Sequence, residues 1–342
     1  MTELYLDVLP LADGGARVVR VYGSAPCVEL PDAVPAPDGG SWPLTELGDY
    51  CFSEKPRGLP DAAKLHRFAV ADTGEVSAVP ADAPCDMPAV CGSFLEQARL
   101  PEGLRVVGSC AFYNCRRVRR LSFGAAALAV GSDVFLNCFA LDTLVVRAAP
   151  EAQTGLFAVV NSISEAVRAE FWPAGANEPA AALCYPAYWE DIEETPAHIL
   201  LHTFSGQGYH YRQCFLNGRV LPAEYDAIFA QGHDADDAAT MARLCFDRLR
   251  WPWQLTDGPR AAYREFLSAN ARLVLAPVLK AQDDDALRAL LALNVLDVDG
   301  LAEASSLARR VENASAAALL ADAERTKRAA AAPRRRRYDL DF

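Results

Sequence analysis

Any chemistry in this chain has to come from a few side chains. The densest cluster is His198-x3-His202-x7-His210-x3-Cys214. A histidine pair at i and i+4 on one helix face can share a metal ion, and imidazole with thiolate suits zinc. Two features oppose that reading. The segment Thr203-Phe-Ser-Gly-Gln-Gly208 breaks a helix that would carry the cluster, and the second pair sits in the aromatic, strand-like run Tyr209–Phe215. The preferred reading is that these histidines meet by coincidence at an inter-domain junction, with no metal and no cofactor expected. A metal-binding protein or enzyme centred on His198, His202, His210 and Cys214 is the alternative.

Other signatures are weaker. Gly206-Gln207-Gly208 is a lone G-x-G, without the third glycine and helix start that a phosphate loop needs. No G-x-S-x-G supports a serine nucleophile. The acidic run Glu190-Asp191-Ile192-Glu193-Glu194 reads as a solvated helix face, and Asp283-Asp284-Asp285 as a helix N-terminus. No catalytic residue is assigned, the chain is read as non-enzymatic, and no small-molecule substrate is expected.

The elements that carry these residues are constrained by composition. The chain has 342 residues, 51% of them hydrophobic and 23% charged, enough for about two domains with real cores. Its net charge of −12 makes nucleic acid an unexpected partner, because such binders are usually basic. No run of about 18 apolar residues suggests a membrane span. The opening Met1-Thr2-Glu3-Leu4-Tyr5-Leu6-Asp7 has neither the basic nor the apolar region of a secretory signal. Ten cysteines without a C-x-x-C, in a chain this long, read as reduced thiols in a cytoplasmic protein.

An internal repeat dominates the first half. Gly108-Ser-Cys-Ala-Phe112-Tyr-Asn114-Cys115 recurs 23 residues later as Gly131-Ser-Asp-Val-Phe135-Leu-Asn137-Cys138. Each copy leads into a short strand pattern, Val118-x-x-Leu121-x-Phe123 and then Leu141-x-x-Leu144-x-Val146. A weaker copy holds Gly48 and Phe52, with its strand Leu65-x-x-Phe68-x-Val70 delayed by a Pro- and Gly-containing insertion. Further strands fit at Leu95-x-x-Ala98-x-Leu100 and Val28-x-Leu30, and residues 71–93 read as either a degenerate repeat or an insertion. The first, fourth and sixth strand positions are expected to face a core, and the third and fifth the opposite side. The glycines are expected to mark turns, the phenylalanines to stack from copy to copy, and the asparagines to bond backbone groups. The cysteines are expected to be small buried side chains. One repeat cannot bury its own core, so the copies must stack.

From Leu100 to Leu121 the pattern L-P-x-x-L-x-x-V-G-S-x-A-F-x-N-C-x-x-V-x-x-L resembles the BspA-type leucine-rich repeat of bacterial proteins. The resemblance extends weakly over residues 26–148. It implies a curved parallel-sheet solenoid that recognises other macromolecules and carries no catalytic residues. The expected contacts of a protein partner are the non-core strand residues Arg67, Gln97, Arg99, Arg120, Ser122 and Thr143, read as a basic patch on an acidic chain.

The expected fold is therefore α+β: a leucine-rich repeat solenoid of short parallel strands followed by an α-helical array. Residues 1–25, with Asp13-Gly14-Gly15 between two strand patterns, form a β-hairpin cap. Residues 26–172 form the solenoid and its C-terminal cap, 173–215 a junction, 216–330 a helical domain and 331–342 a basic flexible tail holding Arg334–Arg337. Helices are expected at 222–230, 234–250, 259–269, 271–281, 283–293, 299–311 and 315–328, the last two being weakly ankyrin-like.

Overall fold

The 23-residue period reappears in the hydrogen bonding of the strands it predicts. In the computed structural model Arg120 pairs with Thr143 on one side and with Gln97 on the other, both in parallel register. The structure describes residues 4–80, 86–194, 200–232 and 236–331. They belong to two units, Met1–Asp236 and Asp237–Phe342.

In the first unit the parallel ladder runs Cys27–Glu29, Gln97–Arg99, Arg120–Phe123, Thr143–Val146 and Val167–Phe171, closed by antiparallel Ala181–Tyr185. The predicted inward positions are buried: Leu95, Ala98, Leu100, Val118, Leu121, Phe123, Leu141, Leu144 and Val146 are each at most 2% exposed. A second sheet joins Ser41–Leu47, Val106–Val107 and Ala129–Val130 in parallel. Each coil thus crosses the core twice, and the Gly-to-Cys segment is the arc that joins the second sheet to the next strand of the first.

The arcs stack as the repeat predicts. Phe52, Phe112 and Phe135 form a column with ring centroids 5.0 and 5.5 Å apart and planes within 16° and 19° of parallel. The asparagines differ from the expectation of backbone bonding: Asn137 Nδ2 donates to the Asn114 side chain, at Oδ1, at 2.7 Å, one coil to the next. Both asparagines hold positive φ, +63° and +66°, a conformation asparagine tolerates better than most residues. The buried Cys115 and Cys138 thiols donate to Phe52 O and Phe112 O at 3.3 and 3.1 Å. Each thiol therefore ties one arc to its predecessor. Burial pushes the Cys138 thiol up to about 12 and the Cys115 thiol in the same direction, which keeps both protonated donors.

The arc glycines act differently from the expectation. Neither Gly108 nor Gly131 has a positive φ; the left-handed residues of the arcs are Cys110 and Asp133, two positions later, and the asparagines. Glycine is required because successive arcs touch there. A Cβ on Gly108 would lie 2.5 Å from Asp49 N, and one on Gly131 2.6 Å from Ser109 N.

Two other expectations are corrected. The strand His66–Val70 is not a rung of the parallel ladder. It pairs antiparallel with Leu4–Pro10, and Val76–Val79 pairs antiparallel with it. Residues 53–94 are thus an insertion in the first coil that adds strands to the N-terminal hairpin. That hairpin, Leu4–Pro10 with Ala16–Tyr22, is present as expected, and its second strand runs parallel to Ser41–Leu47. It caps the first arc through Arg20, which is 7% exposed and donates to Tyr50 O, Cys51 O and Ser53 O. One guanidinium supplies donors that a preceding coil would otherwise provide.

Past Val146 the coil changes form. Helix α1 (Leu156–Val160) follows, then Val167–Phe171, and α2 (Gly208–Tyr211) and α3 (Pro222–Gln231) complete the unit. The expected helical domain from residue 216 therefore begins too early. Helix α3 belongs with the solenoid, where Tyr225 donates to Cys184 O and its ring meets Tyr185 and Tyr211. The acidic run Glu190–Glu194 is no helix face: it lies in the exposed strand Trp189–Glu194, paired with Leu200–Ser205.

The second unit holds α4 (Ala238–Arg250), α5 (Asp257–Ala281), α6 (Asp284–Ala292), α7 (Val298–Arg310) and α8 (Ala314–Ala331). Asp237, Asp283, Asp297 and Asn313 cap α4, α6, α7 and α8 through side-chain oxygens, as N-cap chemistry favours. The two helices expected at 259–269 and 271–281 are one 25-residue helix. Asn270 bonds Phe266 O within it and does not break it.

Candidate functional site: the outer face of the parallel ladder

Residues at the third and fifth strand positions point away from the core, and parallel registry aligns them in rows. One row runs Cys27, Gln97, Arg120, Thr143, Arg168; the next runs Glu29, Arg99, Ser122, Val145, Glu170. The structure thus brings Gln97, Arg99, Arg120, Ser122 and Thr143 onto one surface. Arg67 is not among them. Its strand lies in the N-terminal sheet, and its guanidinium bonds both carboxylate oxygens of Asp7 at 2.7 and 2.9 Å.

The surface is not the basic patch expected. Arg99 lies 3.5 Å from Glu29 and 3.7 Å from Glu102. Arg120 lies 3.0 Å from Glu170, which also pairs with Arg168 and accepts from Trp172 Nε1 at 2.9 Å. Arg147 reaches back to Glu102, Ser122 Oγ and Leu100 O. Thr143 Oγ1 bonds Asp142 at 2.7 Å. The result is a mosaic of arginines and carboxylates, with Gln97 and Arg99 the most exposed of the expected contacts. Sequence reasoning missed Arg168 and Glu170 because the last rung follows its neighbour by 25 residues instead of 23, and Arg147 because it lies just past the end of its strand.

Arg120→Glu is therefore not a harmless surface change. Glu170 is 8% exposed. Burial works to raise its pKa, but Arg168, the Trp172 N–H and Arg120 outweigh it, and the net shift is downward. A carboxyl whose folded pKa lies below its unfolded value stabilises the fold above that unfolded value, about 4.3. The stability is lost as pH falls through the folded value. Wild type should therefore lose stability below about pH 4.3 more steeply than Glu170→Gln, in denaturant titrations across pH 3–7. Equal slopes would refute the linkage. Arg120→Glu should destabilise at pH 7, whereas Arg99→Glu should stay within about 1 kcal/mol of wild type.

Of the four junction residues, only His210 and Cys214 have described side chains. His198 lies outside the described residues, as does the side chain of His202. His210 is exposed on α2, while Cys214 is buried with its thiol donating to His210 O at 3.5 Å. Burial, with Glu224 and Asp226 nearby, pushes that thiol up to about 12. Among the described residues no three His, Cys, Asp or Glu side chains are placed to hold a metal ion. No described helix is long and apolar enough to cross a membrane. The Arg334–Arg337 cluster also lies outside the described residues.

The arcs, the registered parallel ladder and the helices that follow define a parallel β-solenoid and a separate helical C-terminal unit. Among solved structures, the chain is similar to a leucine-rich repeat protein from Bacteroides capillosus, with 15% identity over 49% of this chain and 93% of that one and a TM-score of 0.30. It is also similar to a leucine rich cell surface protein from Faecalibacterium prausnitzii, with 17% identity over 49% of this chain and 41% of that one and a TM-score of 0.25. No family model and no curated protein matches the sequence.

Proposed function

We propose that this chain is a non-enzymatic protein–protein interaction scaffold of the BspA-type leucine-rich repeat class, and that the outer face of the ladder is its recognition surface. The observation that carries the reading is the registry of Gln97, Arg99, Arg120, Ser122 and Thr143 on a face whose exposed members serve no core. Rigid, side-chain-rich faces of this kind are what solenoids offer to partners. Paired arginines and carboxylates suit a partner of mixed charge, with electrostatics setting orientation more than affinity. The pair α7–α8 would be a second, ankyrin-like stacking surface.

The test compares affinity capture from the native host by wild type and by Gln97→Arg/Arg99→Glu, two changes at exposed positions. The double variant should lose a protein that wild type retains, with its melting midpoint unchanged. Identical captured proteins would remove this face from consideration.

We also propose a cytoplasmic location, where thiols stay reduced. Nine cysteines among the described residues stand outside any disulfide, and of these only Cys27 is exposed. Thiol titration should find Cys27 reacting promptly in the native protein and nearly all ten groups after denaturation without reductant. Recovery of only a few would overturn the location.

A further inference from the structure

The arcs form a hydrogen-bonded ladder of their own, and it has a direction. Amides of one arc donate to carbonyls of the next: Cys110 N to Ser132 O at 2.9 Å, Phe112 N to Val134 O at 3.0 Å and Asn114 N to Leu136 O at 3.0 Å. The equivalent donors of the last arc are the amides of Asp133, Phe135 and Asn137, 23 residues on. Asp133 and Asn137 repeat the positive φ of Cys110 and Asn114, so these amides aim along the same axis. Where a further arc would lie the chain instead forms α1, and among the described residues no acceptor meets the three amides. They border a cavity of about 440 Å³, walled on its far side by Asn161–Glu165 and Tyr188. That volume is within the range of ligand-binding pockets.

We propose that this open end of the arc ladder is a docking site for an extended segment of another protein, which supplies the carbonyl row of one more arc. Donors two residues apart along the chain do not converge on one point, so a single anion cannot satisfy them, whereas a peptide backbone can. The surroundings fix the rest of the chemistry. Leu136 and Phe139 are 48% and 64% exposed at the rim, and an apolar side chain would cover them. Asp133 and Glu165 are the charged groups of the lining, and they favour a Lys or Arg on the same segment. Backbone bonding with side-chain pockets beside it is the general logic of strand addition. The site is separate from the outer face of the ladder and stands independently of it.

Two measurements test the proposal. In the first, amide hydrogen exchange of the free protein should be at least tenfold faster at Asp133, Phe135 and Asn137 than at Cys110, Phe112 and Asn114. Protection of all six alike would mean that the chain already fills the site, and would overturn the proposal. In the second, a library of random dodecapeptides displayed on phage is panned against the full chain. Enriched peptides should combine an apolar with a basic residue. As synthetic peptides they should shift and protect the three amides. Their affinity should fall at least tenfold on Leu136→Ser/Phe139→Ser, and weaken on Glu165→Gln. Gln97→Arg/Arg99→Glu should leave the affinity unchanged. Failure of any peptide to enrich, or shifts confined to other amides, would refute the site.

Discussion

Replacing Phe112 by alanine should destabilise the solenoid unit by about 3–5 kcal/mol, as loss of a core phenylalanine does. The ring is fully buried and stacks on Phe52 at 5.0 Å and on Phe135 at 5.5 Å. Its removal breaks two aromatic contacts and opens a cavity that neighbouring coils close poorly, because their spacing is set by the backbone ladder. Phe135 is 7% exposed and ends the described stack, so Phe135→Ala should cost less. Phe139→Ala, at a residue 64% exposed, should stay within about 0.5 kcal/mol of wild type. Urea titrations of the three variants give this order directly. An unchanged midpoint for Phe112→Ala would sink the stacking account.

Arg212→Met should be comparably severe. The Arg212 side chain is fully buried and donates to Val160 O and Ile163 O at 3.0 Å, to Gly208 O at 2.9 Å, to Glu165 O at 2.7 Å and to Pro186 O. The guanidinium also lies 5.0 Å from the centroid of the Tyr188 ring. Burial pulls its pKa down to about 10, with Tyr188 and Tyr185 opposing the fall, so it stays cationic at neutral pH. Methionine fills part of the volume and leaves carbonyls from three separate segments without this donor. Each buried group left unsatisfied costs about 1–3 kcal/mol, so a loss of about 3–5 kcal/mol is expected, as when a buried charge network is broken. Arg212→Lys should recover only part of it, since an ammonium carries three donors against five in a fixed fork. Denaturant unfolding followed by tryptophan fluorescence measures both variants, and a lysine variant as stable as wild type would show that the fork geometry is unimportant.

Much of this architecture was legible from Gly108 to Val146. There the sequence by itself determined the 23-residue period, the inward strand positions and the phenylalanine column. Those are local, periodic properties: each rung sees the same neighbours as the last, so the pattern in one coil states the contacts of all. The helix start at Asp283 was legible for a similar reason, because a cap bonds amides within three residues of itself; the starts expected at 234 and 299 miss the true caps, Asp237 and Asp297, by three and two residues.

Only the tertiary structure decided what depends on residues far apart in sequence. The strand His66–Val70 has the inward spacing of a repeat, yet it pairs with Leu4–Pro10, and periodicity holds no record of which edge a strand joins. The outer face looked basic because Arg99 and Arg120 both occupy outward positions on successive strands. Their carboxylates, Glu29 and Glu170, lie 70 and 50 residues away, beyond any periodic signal. Gly108 and Gly131 were recognisable as glycines that mattered, but the reason, contact between stacked arcs, exists only once the coils are superposed. Arg212 gave no signal at all. A buried arginine in the sequence is indistinguishable from a solvated one until the chain brings five carbonyls around it.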